Sequence, residues 1–259
     1  MSIKNFLDGL KREGDAFVTA DGGDWMQGRT MYGGASSLLA YAAATRTFTD
    51  LPPLRAAQVG FVGPVGAEST TTARILRQGR SVTQVETEIH SNGALAHRGL
   101  WLFGSAREAN AEYPAGPPEP RPLPVDQAEE LPFSNVAPSF IGQYEIRRAQ
   151  ESSGKGDPIV RRWFRLKDRE GLDPIAEMVL VGDTLPPGSM RQMQRRGPIS
   201  SINWSFNILD TEPVTHNGWW LAETAGEHAA DGFSSERLKL WNSDEKLVMT
   251  GFQCAAIFG

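Results

Sequence analysis

Residues 79–103 read GRSVTQVETEIHSNGALAHRGLWLF, and residues 232–258 read GFSSERLKLWNSDEKLVMTGFQCAAIF. In the first stretch Val85, Thr87 and Ile89 alternate with Glu86 and Glu88, the period-two pattern of a strand with one wet face. Ser91-Asn92-Gly93-Ala94 then supplies a hairpin turn, because Asn and Gly tolerate positive φ. A second strand opens at Leu95. The later stretch repeats this order: Gly79 and Ser81 match Gly232 and Ser234 at an offset of 153, and Leu95 matches Leu247 at 152. The chain is therefore expected to carry one strand-turn-strand unit twice.

Each copy has one helix ahead of its strands. Gly33–Phe48, GGASSLLAYAAATRTF, is rich in alanine and leucine, with small residues suited to close packing on a sheet. Asp173-Pro174 makes a good N-cap and first-turn pair for the second helix. The segments LRAAQVGFVGPV, STTTARILRQG, SFIGQYEIRRAQ, IVRRWFRLKD, SSINWSFNIL and WWLAETAGEHAA read as strands. Between the copies, EYPAGPPEPRPLPVDQAEELP holds seven of the 17 prolines and cannot form a regular helix or central strand, so it reads as a semi-extended linker. A strand-rich module with one helix, used twice, is an α+β arrangement. The expected architecture is a continuous curved antiparallel sheet wrapped around two central helices.

Composition narrows the function. Of the 259 residues, 40% are hydrophobic and 22% charged, with a net charge of −5 and no Lys/Arg block, so nucleic acid is not an expected partner. MSIKNFLDGLKREGDAF has no apolar core of signal-peptide length, and no run approaches the ~20 apolar residues that span a bilayer. A cytoplasmic protein without membrane partners is expected. The single cysteine, Cys254, excludes an internal disulfide and a cysteine-based zinc cluster.

Familiar catalytic devices are missing: there is no Walker loop, no G-x-G-x-x-G and no G-x-S-x-G elbow. His90, His97, His216 and His228 show no metal-ligand spacing; the first three sit at turns and read as surface histidines. What remains is polar residues at apolar positions. Ile175, Val179 and Asp183 are four apart, so a continuous helix would bury an acid on its apolar face, although Asp183 could equally cap a turn. Gln253 lies inside the apolar VMTGFQCAAIF, where a buried amide must find partners. Ser200-Ser201 opens a strand. Aligning the copies through Phe61 and Phe206 sets Asp183 opposite Leu38 and Gln253 near Gly104 or Ser105, so the second copy holds the polar groups.

Taken in order, MYGGASSLLAYAAA, VGFVGPV, RQGRSVTQVETEIHSNG, a proline-rich linker, VGD, SSINWSF and GFQ resemble the type II (TesB-like) acyl-CoA thioesterases, which are double hotdog proteins. The likeness covers nearly the whole chain. It implies an N-terminal hotdog over 1–108, a linker over 109–138 and a C-terminal hotdog over 139–259 that carries the catalytic residues. It also implies a catalytic trio around a water, matched here by Asp183 in the second helix, Ser201 and Gln253, and hydrolysis of an acyl-CoA to free acid and CoA. Gly33 and Gly34 would supply oxyanion donors, and Arg80 and Ser81 would lie near the nucleotide end of the coenzyme. Neither cofactor nor metal is required, and a homodimer or larger homo-oligomer is expected. Asn203-Trp204 departs from the family's Asp-His pair, which leaves room for a differently shaped pocket. Two rivals remain at this level: a non-catalytic acyl-thioester binding module, and a hotdog dehydratase or hydratase.

Overall fold

The computed structural model describes residues 1–134, 137–150, 156–195 and 197–258; the rest of the expected linker and C-terminal module lies outside the described residues. In the first half a short helix α1 (Ile3–Asp8) precedes a hairpin of β1 (Leu10–Glu13) and β2 (Ala16–Thr19). A two-strand ribbon follows, β3 (Met26–Gln27) with β4 (Thr30–Met31), then helix α2 (Gly33–Thr47). Four longer strands complete this half: β5 (Leu54–Phe61), β6 (Ser69–Gln78), β7 (Val82–Ser91) and β8 (Ala94–Gly104). The second half runs β9 (Tyr144–Arg148), β10 (Ile159–Leu166), α3 (Pro174–Val181), β11 (Ile199–Ile208), β12 (Trp220–Ala230), β13 (Phe233–Asn242) and β14 (Leu247–Ile257).

Among the described residues 12 strands form one sheet. Its seam is the antiparallel pair β5·β11, with Gly60 opposite Asn203 and Ala56 opposite Asn207. Outward from that seam the order is β8-β7-β6-β2-β1 on one side and β14-β13-β12-β10-β9 on the other, the same arrangement twice. The duplication read from residues 79–103 and 232–258 is thus a duplication of the whole sheet. The hairpin turn falls where expected, with Asn92 and Gly93 at φ of 51° and 76°.

Both helices are core. Every residue of α2 from Gly34 to Ala44 is buried, as expected of a helix that is small or apolar on all sides. In α3 the run Ile175–Val181 is buried, and Asp173 caps it by accepting from the Ile175 and Ala176 amides at 3.0 Å each. Buried Glu177 is held by the Arg169 guanidinium at 2.8–3.2 Å.

One expectation is corrected, and two features go beyond what was expected. Helix α3 ends at Val181, so Asp183 is not in the helix but in the turn beyond it. Gly182 forms the cap, Thr184 Oγ1 donates to the Val181 carbonyl at 2.7 Å, and Pro186-Pro187 cannot extend a helix. Second, the N-terminal α1 and the β1–β2 hairpin carry too little periodicity to be read; they form because Gly14 takes φ +62° at the turn and Phe17 is buried. Third, the proline-rich stretch is tied to strands of the second half. Trp163 Nε1 donates to the Leu123 carbonyl at 2.9 Å, an Arg147 guanidinium N–H donates to the Val125 carbonyl at 2.7 Å, and Arg161 donates to the carbonyls of Glu119 and Pro120. Trp163, Leu221 and Trp241 pack there with Ala128 and Ala149. Their strand neighbours Phe164, Trp220 and Leu240 point instead into the helix-bearing core, so the stretch straps the convex face. Its end runs alongside β9, where the Leu131 amide donates to the Ile146 carbonyl and the Arg148 amide to the Glu129 carbonyl, each at 2.8 Å.

Candidate active site

The turn after α3 places Asp183 against the start of α2. Gln253 Nε2 donates to Asp183 Oδ1 at 2.7 Å. The other oxygen, Oδ2, lies so close to Gly33 that a Cβ there would overlap it and would come within 2.7 Å of the Phe61 ring. A Cβ on Gly34 would likewise overlap the Leu180 carbonyl oxygen. The two glycines thus let the first turn of α2 approach the carboxylate. No side chain caps that helix, and the first-turn amides of any helix lack intrahelical acceptors, so a partial positive charge faces the acid. Tyr32, the residue preceding the helix, fixes the approach: its hydroxyl donates to the Leu180 carbonyl at 2.9 Å and pairs with the Tyr144 hydroxyl at 2.6 Å.

The carboxylate is largely shut off from water, although part of the residue reaches the surface. Burial pushes its pKa up to about 7; the Gln253 hydrogen bond favours the ionised form and opposes the rise.

Strand β11 is built around a bulge. Ser201 pairs with Ala255, but Asn203 already pairs with Cys254, which leaves Ile202 as the extra residue. Directly opposed residues share a face, so the bulge turns both Ser201 and Trp204 inward beside Ala255 and Gln253. In a regular strand Ser200 would have taken the inward position. Ser201 therefore lies one row from Gln253, yet no hydrogen bond joins it to Asp183 or Gln253 among the described residues. Trp204 is fully buried, its ring tilted against Phe206 with centroids 4.3 Å apart, and a Cβ on Gly182 would come within 2.8 Å of its ring. Asn203 points outward and accepts from the Cys254 amide at 2.9 Å. The family departure at these two positions thus puts an indole into the wall of the site.

Arg80 and Ser81 are not brought to this place. They precede β7, whose Val82 pairs with Gly104 at the Leu54 end of β5, whereas Gly33 and Asp183 meet Phe61 at its other end. At ~3.3 Å per residue the length of β5 separates them by roughly 23 Å. The second-copy counterpart of Ser81 is near instead: Ser234 is buried and pairs with Ala255, the residue opposite Ser201.

His97 is also corrected. It is no surface histidine but is fully buried on β8, with Nε2 3.3 Å from Ser37 Oγ of α2 and its ring against Phe61. Burial lowers its pKa to about 3. His216 does sit at a turn, exposed and 2.8 Å from Asp244. Sequence reading also passed over Glu236, a fully buried carboxylate directly opposite Gln253. Its signal was legible: Leu238 and Leu240 are inward, and period two carries that face back to Glu236 and Ser234. Among the described residues no group of three His, Cys, Asp or Glu is arranged to hold a metal ion, and no helix is long and apolar enough to cross a membrane.

The doubled sheet, with helices inside and an acid–amide pair at one helix start, defines a double hotdog protein. Residues 22–104 match the acyl-CoA thioesterase N-terminal domain and residues 114–257 the acyl-CoA thioesterase C-terminal domain. No curated protein matches the chain. Among solved structures, it is similar to a hot dog fold protein of unknown function from Alicyclobacillus acidocaldarius, with 18% identity, 98% of both chains covered and a TM-score of 0.85. It is also similar to a tesB protein from Mycobacterium avium subs paratuberculosis, with 16% identity, full coverage of both chains and a TM-score of 0.78. An acyl-CoA thioesterase II, TesB2, from Mycobacterium marinum shares 16% identity over 98% of this chain and 97% of its own, with a TM-score of 0.77. This chain belongs to the acyl-CoA thioesterase family. It is a thioester hydrolase whose substrate is an acyl-CoA.

Proposed function

We propose that Asp183 is the general base of this hydrolysis. The reading rests on one observation: its carboxylate sits between the Gln253 amide, which holds one oxygen, and the glycine start of α2, which faces the other. Asp183 takes a proton from a water held with the help of Gln253 and Ser201, and the hydroxide adds to the thioester carbonyl carbon. Negative charge collects on the carbonyl oxygen, where the Gly33 and Gly34 amides are the available donors. The C–S bond then breaks, CoA leaves as thiolate, and the proton on Asp183 neutralises it. A carboxyl whose pKa is near 7 suits both directions of that transfer. Arg80 and Ser81, about the length of β5 away, are left to the nucleotide end of the coenzyme.

Gly33, Gly34, Ser201 and the N-terminal and C-terminal modules keep the roles that the family likeness implies. We place the protein in the cytoplasm as a homodimer or larger homo-oligomer working in fatty acid metabolism. A net charge of −5 without a basic block supports the absence of a nucleic-acid partner. The test is free-thiol release from a panel of acyl-CoAs by the native chain and by Asp183→Asn. Turnover by the native chain and its loss in the variant are expected; turnover at the native rate in Asp183→Asn would overturn the assignment.

A further inference from the structure

Glu236 has no part in the chemistry above, yet it is fully buried. Among the described residues no Lys, Arg or His comes within ion-pair distance of it. Its donors come from one short segment: the Gly188 amide at 2.8 Å, the Ser189 amide at 3.3 Å and Ser189 Oγ at 2.6 Å. That segment is the continuation of the turn that begins with Asp183. Further ties hold it down, since Thr224 Oγ1 donates to the Pro186 carbonyl at 2.7 Å and a Cβ on Gly188 would overlap the Pro158 carbonyl. Directly opposed residues on neighbouring strands have Cβ atoms about 4.5–5.5 Å apart, and Glu236 is opposed to Gln253. One strand pair, β13·β14, therefore grips residues 183–189 at both ends: Gln253 at Asp183, Glu236 at Gly188 and Ser189.

We propose that Glu236 is a positioning residue for the reaction, fixing the Asp183–Ser189 segment to the strand pair that carries Gln253, and with it the placement of the base. This rests on Asp183 being the base. A buried carboxylate is costly unless fully hydrogen-bonded, so a neutral acceptor would be the cheaper tie if mere closure of the loop were needed. Only a carboxylate offers two acceptor oxygens to both amides at once, which sets the segment's angle as well as its distance. In Glu236→Gln the amide nitrogen must face the Gly188 or the Ser189 N–H, donor against donor, and one end of the grip opens.

The experiment measures thiol release against pH for the native chain, Glu236→Gln, Ser189→Ala and Asp183→Asn, with thermal unfolding alongside. The titratable groups around Asp183 are Tyr32 at the start of α2 and, beyond Gln253, Glu236 itself. Glu236→Gln is expected to lower kcat about 10- to 100-fold with KM little changed, the scale of a misplaced catalytic group. The midpoint of its pH profile should also move upward, because a loosened Gln253 bond no longer favours the ionised acid. Ser189→Ala keeps the backbone donors and should move both readouts the same way by less; it carries the test if Glu236→Gln does not fold. A purely structural Glu236 would lower the unfolding temperature while the folded fraction kept the native kcat and midpoint, and that result overturns the inference. Turnover in Asp183→Asn would instead overturn the assignment of the base, whatever the Glu236 variants do.

Discussion

Asp183 and Gln253 stand 70 residues apart in the chain and meet at 2.7 Å, amide nitrogen to carboxylate oxygen, across the space between a turn and a central strand. Gln253 sits in the middle of β14, a strand paired on both sides, while Asp183 sits in a turn held by its own hydrogen bonds. The pair is an observation of the fold; its consequences for rate and stability can be measured.

Activity should depend on one ionisation near neutrality. Asp183 serves as base only when deprotonated, and burial pushes its pKa up to about 7. Thiol release at limiting substrate is expected to rise with pH through that region and level off above it. A profile already flat from pH 5 upward would contradict an acid so placed.

The same burial has a stability cost of definite sign. A folded pKa of about 7 lies above the ordinary aspartate value of 3.8, so the folded state binds the proton more tightly. The associated stability is fully present below about pH 3.8 and is lost as pH rises through 7. Asp183→Asn removes the ionisation, so its advantage in unfolding temperature over the native chain should grow from acid to pH 8. Its turnover should fall by about 10²–10⁴, the range for loss of general base catalysis.

Gly33→Ala isolates the close approach of α2. Alanine in place of glycine normally favours a helix by about 0.5–1 kcal/mol. Here the added methyl overlaps Asp183 Oδ2 and crowds the Phe61 ring at 2.7 Å. Overpacking costs about 1–3 kcal/mol, so the net change should be destabilising. Denaturant unfolding gives the sign, and activity should drop with it because the carboxylate must move.

His97 gives the opposite pH dependence to Asp183. Its folded pKa of about 3 lies below the ordinary 6.5, because charging it means charging the core. Stability is intact above pH 6.5 and is lost as pH falls toward 3. His97→Leu should abolish that acid-side slope, read as the urea midpoint against pH, whatever it does to stability at pH 8.

The sheet, both central helices and the second-copy location of the polar pair were legible because each has a local cause. Period two marks β7, Asp173-Pro174 marks the start of α3, and an amide inside VMTGFQCAAIF marks an inward polar position. What escaped depends on contacts between distant segments. The end of α3 stood open in the sequence, because GDTLPPG reads as cap and turn as readily as helix, and Gly182 meeting Trp204 and Met249 decides it. Ser201 is turned inward by a bulge that exists only in register with β14. His97 looked like turn chemistry because it lies three residues past Ala94, yet strand alternation aims it at Ser37.

The proline-rich strap bears on how this sheet survives at high concentration. An open edge strand offers unpaired amides and carbonyls to any passing chain. Here the strap pairs with β9 through Glu129–Leu131 and then meets Pro132, which has no amide to hand the ladder on, so that border is covered from within the same molecule. The opposite border, β1, is short and presents exposed Lys11, Arg12 and Glu13. A covered border on one side and a short, charged one on the other both work against edge-to-edge growth of the twelve-strand sheet.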